Sequence, residues 1–220
     1  MSVVLPASVA AADRQDGADG RGESEAQAVR ERLIAAFTRT VAERGYETVT
    51  VERVVSQAGL TVEDFHRHFS DRDQCLLAAY DDFVVRLMTH VEAACKGEDD
   101  WVDSIKAAIG AGLGFFGELA STSRFFMVEA MGSGPAAIER RFATIDLLAE
   151  PLRRGRELYP AAAALPAATE QTLVAGIVLL VSVHLLAEDL DALSRLEPDV
   201  VELVLTPYLG RREAQRVSGA

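Results

Sequence analysis

The sequence contains few of the residues that build disulfide frameworks or metal sites. It has two cysteines, Cys75 and Cys95, and four histidines among 220 residues. The cysteines have no CxxC spacing and no neighbouring histidine cluster, so neither a disulfide framework nor a zinc site is indicated. We therefore expect no metal and no cofactor, and we interpret both cysteines as small, reduced residues of a cytoplasmic protein.

Positive charge is also scarce. Lysine and arginine together number 22 against 34 aspartates and glutamates, which gives a formal net charge of -12. Because phosphate binding normally relies on Lys and Arg, this balance excludes a protein that coats nucleic acid through bulk positive charge. Any contact with DNA must be local.

Runs of apolar residues long enough to cross a bilayer are missing as well. The longest run, residues 173–187, is interrupted by Ser182 and His184 and is shorter than the roughly 20 residues that a spanning helix needs. The apolar N-terminal stretch lacks a preceding basic segment, which a secretory signal would have. We therefore expect residues 173–187 to form a helix buried in protein, with no membrane partner.

Motifs for catalysis are not found. The sequence has no phosphate-binding glycine loop, no HExxH and no nucleophile elbow, and its acidic residues are spread along helix faces. We therefore expect that the protein is not an enzyme.

Helical periodicity is what the sequence does contain. Residues 1–23 are rich in Gly, Asp, Ala and Ser and are predicted to be a disordered tail. After Ser24, apolar residues recur at spacings of three and four until Gly45, where a left-handed residue can end the helix. The apolar face of this first helix is formed by Val29, Leu33, Ile34, Phe37 and Val41.

Two short helices follow, each with a polar capping residue. Thr50 can cap the first, Gly59 permits a tight turn, and Thr61 can cap the second in a box with Asp64. This pattern predicts a helix-turn-helix. Ser70 and Asp73 form a second box that opens a long helix to about residue 96.

The rest of the chain predicts further helices separated by breakers. No strand-like alternation competes with them, so the expected fold class is all-α. The predicted helices cover residues 101–119, 123–131, 135–158, 167–190 and 198–209.

Residues 30–83 resemble the DNA-binding domain of the TetR family of bacterial regulators. The resemblance lies in an ordered set of segments, GYETVTV, then VVSQAGLT, then FHRHFSDRD followed by LL. It implies an N-terminal three-helix helix-turn-helix DNA-binding domain over residues 24–71. It also implies a C-terminal helical effector-binding and dimerisation domain over residues 72–220.

The resemblance implies a set of DNA-contacting residues on and around a recognition helix at residues 62–68. Groove contacts would come from the start of this helix and phosphate contacts from its flanks. The implied residues are Thr50, Thr61, Val62, Glu63, Asp64, His66, Arg67, His68 and Arg72.

Two acids, Glu63 and Asp64, depart from the family pattern on this helix. Residues 24–70 carry six arginines and seven acidic residues, so the domain has no positive surplus. Glu63 could accept a hydrogen bond from a cytosine amino group and so confer specificity. Alternatively, both acids only stabilise the N-terminus of the helix through its dipole.

The C-terminal half contains a dense group of aromatic and sulfur side chains that suits a hydrophobic effector, although ordinary core packing explains the same group. The candidate pocket residues are Phe115, Phe116, Phe125, Phe126, Met127, Met131, Phe142 and His184. The helices at 167–190 and 198–209 are predicted to pair with their copies in a four-helix bundle, and intramolecular core helices are the alternative.

The implied function is a homodimeric repressor that binds a near-palindromic double-stranded operator and is released by a small-molecule effector. The alternative is a ligand-binding or protein-interaction module that keeps the fold but has weakened DNA binding. The sequence does not identify the operator, the regulated genes or the effector.

Overall fold

The structure, a computed structural model, describes residues 19–219, and over these residues the chain is helical with no strand. The predicted all-α fold class is confirmed. Residues 1–18 of the predicted tail lie outside the described residues, and residues 19–23 form the start of the first helix. The N-terminal elements are α1 (Asp19–Arg44), α2 (Val51–Ala58), α3 (Val62–His68) and α4 (Arg72–Ala94), with a 3-10 turn at Tyr46–Thr48.

Eight further helices follow α4 in the described part of the chain. The 3-10 segments Glu129–Ser133 and Pro160–Ala164 interrupt them. They are α5 (Trp101–Glu118), α6 (Ala120–Met127), α7 (Pro135–Arg153), α8 (Gly155–Leu158), α9 (Thr169–Leu186), α10 (Leu190–Arg195), α11 (Glu197–Leu209) and α12 (Arg211–Ser218).

The predicted single helix over 135–158 is wrong, because the chain breaks into α7 and α8 at Arg154. Pro151 lies inside the last turns of α7, where it cannot donate a backbone hydrogen bond. Gly155 lies directly against the rings of Trp101 and Tyr208, which a side chain at this position would meet. The short helices α10 and α12 were not predicted.

The cap of α4 also differs from the prediction. Asp71, not Ser70, is the N-cap, and its carboxylate accepts a hydrogen bond of 2.8 Å from the backbone N–H of Gln74. The Ser70 hydroxyl instead donates to the Asp71 carboxylate. The reason is that Asp71 has extended backbone angles, which place its side chain over the first turn.

The helices enclose two hydrophobic cores. The first joins α1, α2 and α3 to α4, α5 and α6, and the second joins α5, α7, α9, α11 and α12. The first core therefore crosses the predicted domain boundary at residue 72, because α4 packs on the helix-turn-helix at one end and on α5 and α6 at the other. Its fully buried large residues include Leu33, Phe37, Phe65, Leu76, Phe125 and Phe126.

Helix α9 is buried on one side only within a single copy of the chain. Of its residues, Glu170, Val174, Val181 and Leu185 are buried, whereas the opposite side of the helix is exposed. By length and composition alone it is the one helix among residues 19–219 that could cross a membrane. Only one side of α9 has other helices of the same chain to pack against, so burial of its opposite side by a second copy stays a prediction.

Candidate nucleic-acid interface and effector cavity

The turn between α2 and α3 is set by three interactions. The Thr50 hydroxyl accepts a hydrogen bond from the backbone N–H of Arg53 at 3.3 Å and caps α2. Gly59 ends α2 in the left-handed region at φ 63°, where glycine has no steric penalty. From α1, the guanidinium of Arg32 donates to the carbonyl of Ala58 at 2.7 Å. These contacts fix the angle at which α3 leaves the turn.

Helix α3 begins with a complete capping box. The Thr61 hydroxyl accepts from the backbone N–H of Asp64, and the Asp64 carboxylate accepts from the Thr61 backbone N–H at 3.0 Å and from its hydroxyl at 2.9 Å. These hydrogen bonds lower the pKa of Asp64 below its usual value. Arg67 also donates to Asp64 at 2.6 Å. Asp64 is thus committed to the helix itself.

The outer face of α3 is open to solvent. Glu63, His66 and Arg67 are exposed, and Val62 is 37% exposed. On the opposite face Phe65 is buried in the first core, and Phe69 is buried directly after the helix. The arrangement presents a short helix with one carboxylate, one imidazole and one guanidinium pointing outward, which are groups that can hydrogen-bond to a partner. His68 is only half exposed.

Arg72 lies at the first position of α4, beside the helix-turn-helix. Its guanidinium stacks on the ring of Tyr46 at 4.2 Å and donates to the carbonyl of Val49 at 3.2 Å. The Tyr46 hydroxyl donates to Asp73 at 2.6 Å, and its ring lies 5.7 Å from that of Phe125 on α6. Burial, followed by this hydrogen bond, raises the pKa of Tyr46 to about 12.

Sequence reasoning did not single out Tyr46. It joins the segment before α2 to the start of α4 and to α6, and so links the helix-turn-helix to the C-terminal half. The available signal was an aromatic residue directly after Gly45, at the end of a helix and outside its apolar periodicity.

A cavity of about 140 Å³ lies in the C-terminal half, between the two cores. Leu87 and Phe116 on its wall belong to the first core, and Leu152 and Val204 belong to the second. The remaining wall residues are Met88, Val91, Ile105, Ala108, Ile109, Gly112, Leu113, Leu148, Pro151, Val174, Ile177 and Val178.

Helix α4 connects this cavity to the helix-turn-helix. Its first half packs Cys75, Leu76 and Ala79 into the first core beside α1, and burial raises the pKa of the Cys75 thiol to about 12. Two turns further on, Leu87 and Met88 line the cavity. A single helix therefore touches both candidate sites.

The structure brings only one of the predicted pocket residues to the cavity, namely Phe116. Phe115 and Phe126 pack against Phe83 of α4 in the first core, and the rings of Phe83 and Phe126 are 4.9 Å apart. Phe125 packs against Phe126 in the same core. These rings join α4, α5 and α6 because aromatic side chains pack most favourably against each other in offset or tilted arrangements.

The other predicted pocket residues lie elsewhere. Met127 is buried in the first core and Met131 packs against it. Phe142 is 64% exposed on α7. His184 on α9 has its Nδ1 2.9 Å from the Leu180 carbonyl oxygen, one turn earlier in the same helix. A dense aromatic pattern in the sequence cannot distinguish a tight core from a cavity wall, because both require large apolar side chains.

An exposed apolar face runs along α7 and α9. Helices α7 and α9 pack side by side, and Asp146 on α7 accepts a hydrogen bond from Gln171 on α9. We define the α7–α9 face by its exposed members, which are Ile138, Phe142, Leu179, Val183 and Leu186. On α11, by contrast, Val200, Val201, Val204, Leu205 and Tyr208 are buried, and Leu203 is exposed. The apolar surface available to a partner is thus concentrated on the α7–α9 face.

Comparisons with known proteins agree with this architecture. The family model described as "Bacterial regulatory proteins, tetR family" matches residues 33–79. An uncharacterized HTH-type transcriptional regulator of Haemophilus influenzae is 26% identical over 102 residues, which are 46% of this chain and 50% of that protein. The match thus spans half the length of that curated relative.

Solved structures share the fold over most of the chain. The fatty acid degradation regulator FadR from Bacillus halodurans superposes with a TM-score of 0.67 at 18% identity, covering 80% of this chain and 97% of that one. FadR from Bacillus subtilis, solved in complex with stearoyl-CoA, has a TM-score of 0.67 at 14% identity and covers 82% and 98%. The SmeT–triclosan complex has a TM-score of 0.63 at 21% identity and covers 82% and 91%.

Proposed function

We propose that this chain, a transcriptional regulator of the TetR family of bacterial regulatory proteins, is a homodimeric repressor that a small-molecule effector releases from its operator. The observation that carries the proposal is the path of α4. This helix begins beside the recognition helix at Arg72 and lines the apolar cavity with Leu87 and Met88. A ligand in the cavity can therefore act on the position of the helix-turn-helix through one rigid element.

Contacts with DNA are expected from the exposed side of α3 and from its flanks. Val62 and Glu63 would face the groove, with Thr61 at its entrance. Thr50, His66, Arg67, His68 and Arg72 would approach phosphates, which position the protein without reading sequence. Asp64 is already engaged with Thr61 and Arg67. Its contribution to DNA binding would therefore be indirect, through the shape of the helix.

Dimerisation is expected through the α7–α9 face. A single recognition helix reads only a few base pairs, and a two-fold dimer places a second one about one helical turn of DNA away. The structure supports a modified version of the predicted interface, because α7 contributes Ile138 and Phe142 whereas most of α11 is buried. A partner copy would cover the exposed side of α9.

A ligand-binding or partner-binding module with weakened DNA binding is the second candidate. The observation in its favour is charge, since Glu47, Glu52 and Glu63 are exposed around the helix-turn-helix. These carboxylates would repel phosphates unless one of them accepts a hydrogen bond from a base.

The test is selection from a random DNA library with the purified protein, followed by binding to the selected sequence across a salt series. We expect a near-palindromic site and an affinity that falls as salt rises. Arg67→Ala is expected to lower the affinity roughly tenfold or more, because a charge-assisted hydrogen bond is lost. It should also reduce the slope of log affinity against log salt concentration by about one, which is the contribution of one phosphate contact.

The control for this substitution is Arg216→Ala. Arg216 and Arg67 are both 71% exposed, and each pairs with an acid three residues earlier, Glu213 and Asp64 respectively. Arg216 lies on α12, outside the helix-turn-helix, so its loss should leave DNA binding unchanged. If the unsubstituted protein enriches no sequence, the repressor proposal fails and the second candidate replaces it.

A further inference from the structure

The wall of the cavity between the two cores is chemically uniform. Among residues 19–219, every side chain on this wall is apolar, and Gly112 adds only backbone. The backbone groups of α4, α5, α7, α9 and α11 are largely engaged within the helices. The cavity therefore offers a ligand no side chain that can form a hydrogen bond and no charged group.

We propose that this cavity selects a small, uncharged, hydrocarbon-like molecule about the size of a single aromatic ring, and that it excludes anionic ligands. The inference rests on the proposed function in one respect, since it assumes that this cavity is the effector site.

Polarity is the first reason. Moving a carboxylate or phosphate from water to a site without donors costs far more than apolar contacts of one ring return. A neutral apolar molecule meets no such cost, because the transfer of apolar surface from water into an apolar cavity is favourable. The absence of a polar anchor thus discriminates by charge.

Volume is the second reason. An apolar cavity of about 150 Å³ stays dry and binds benzene or xenon, whereas drug-sized ligands occupy about 300–1,000 Å³. The cavity here, at about 140 Å³, falls in the first group. FadR from Bacillus subtilis, which has the same fold, was solved with stearoyl-CoA, a long chain on a charged carrier. A volume of about 140 Å³ does not enclose a ligand of that size.

The position of the cavity explains how so small a ligand can matter. Leu87 and Phe116 from the first core face Leu152 and Val204 from the second across the space. A ring between them gains contacts with both cores and favours the arrangement in which they are spaced to hold it. Because Leu87 lies on α4, that spacing is transmitted to the helix-turn-helix.

The experiment measures binding of toluene, benzoate and stearoyl-CoA to the full chain by the shift in its thermal unfolding midpoint. Toluene and benzoate have similar size and differ in charge. We expect toluene to raise the midpoint and to bind at least tenfold more tightly than benzoate, with no shift from stearoyl-CoA. An equal or larger shift from benzoate or stearoyl-CoA, or no shift from toluene, would overturn the inference.

Two glycines of α5 provide matched variants that locate the binding. A Cβ added at either Gly112 or Gly114 meets nothing within 4 Å, but of the two only Gly112 lines the cavity. Gly112→Leu should fill the space and abolish the toluene shift relative to its own midpoint, and Gly114→Leu should retain it. Loss of the shift in both variants, or in neither, would place toluene elsewhere and overturn the inference. The comparison of probes on the unsubstituted chain stands even if a variant does not fold.

A separate measurement distinguishes this inference from the proposed function. Release of the selected DNA by toluene tests the regulatory role, whereas the midpoint shifts test the ligand class. Toluene that binds at Gly112 without releasing DNA would contradict effector control and leave the ligand class supported.

Discussion

The helix caps of the helix-turn-helix and the buried polar contacts of the C-terminal half span different distances along the chain. Thr50 and Thr61 each bond within three residues of themselves, whereas the turn at Gly59 also receives a contact from Arg32 to the Ala58 carbonyl. In the C-terminal half, the carboxylate of buried Glu170 accepts hydrogen bonds from Arg156, which is 14 residues away in sequence, and from Tyr208, which is 38 residues away. The helix caps are thus set by residues close in sequence, whereas contacts across 14 and 38 residues hold together helices of the C-terminal half.

The two regions also differ in where their apolar surface goes. Val62 is the single large apolar residue of the helix-turn-helix among the exposed ones described, whereas the C-terminal half exposes the whole α7–α9 face. Among the described residues, the exposed apolar surface is therefore concentrated in the C-terminal half, on the face through which we propose that two copies pair.

The largest effect is expected from charging the α7–α9 face. Leu179→Asp puts a carboxylate at a position that is 64% exposed here and covered in the proposed dimer. A two-fold interface carries the change twice, so a loss of roughly 2 kcal/mol per copy raises the dissociation constant about a thousandfold. Sedimentation should show monomers, and operator affinity should fall with them.

Leu158→Asp is the control for this prediction. Leu158 is also an exposed leucine, at 48%, but it lies on α8. It should leave the oligomeric state unchanged. A Leu179→Asp protein that sediments like the unsubstituted one would show that the partner contact lies elsewhere.

The next prediction concerns how the ion pair between Arg156 and Glu170 makes stability depend on pH. Hydrogen bonds from Arg156 lower the pKa of Glu170 below its usual value, with Tyr208 contributing. Its stabilisation is therefore present above the unfolded pKa of about 4.5 and is lost as pH falls through the lower folded value. Glu170→Gln should be clearly less stable at pH 7, because removing one partner of a buried pair is strongly unfavourable.

In urea unfolding at decreasing pH, the gap between Glu170→Gln and the unsubstituted protein should therefore narrow. Glu213→Gln is the comparison, since Glu213 pairs with Arg216 at the surface. It should change stability little at any pH. A gap that stays constant down to acid pH would mean that the charge of Glu170 contributes nothing.

Gly155 tests the packing of the second core. An added Cβ would lie 2.6 Å from the Trp101 ring and 2.7 Å from that of Tyr208. Gly155→Ala should therefore cost about 1–3 kcal/mol of unfolding free energy. Trp101 is the only tryptophan of the chain, so its fluorescence reports the disturbance directly.

Gly114→Ala serves as the reference for Gly155→Ala. Its added Cβ meets nothing within 4 Å, and alanine favours helix, so stability should rise by up to about 1 kcal/mol. Equal effects of the two substitutions would contradict the tight packing at Gly155.

The smallest effect on stability is expected in the helix-turn-helix. Thr61→Ala removes the hydroxyl that both accepts from the Asp64 backbone and donates to its carboxylate. The expected loss is about 1 kcal/mol, with weaker operator binding because α3 frays at the end that enters the groove. Thr89→Ala on the exposed side of α4 should change stability by less than about 0.5 kcal/mol. Similar losses at both threonines would deny the capping box a specific role.

Much of the helix-turn-helix could be predicted, because its helix caps and its glycine turn depend on residues that are close in sequence. The caps at Thr50 and Thr61 and the turn at Gly59 were predicted from residue type and spacing, and the structure confirms them. The cap at Ser70 was missed by one residue, because two adjacent polar residues offer the same chemistry and only the backbone angle chooses between them. The DNA contacts of these residues stay predictions.

The sequence by itself determined the all-α class and the helix-turn-helix, because periodicity, caps and glycines act over three or four residues. Only the tertiary structure decided where the cavity lies, which aromatic rings pack around Phe83 instead of lining it, and which side of α9 stays open. The physical reason is that apolar burial is not directional, so a phenylalanine in a core, on a cavity wall or on an exposed face gives the same local sequence pattern. Which of these positions it takes depends on helices that are distant along the chain.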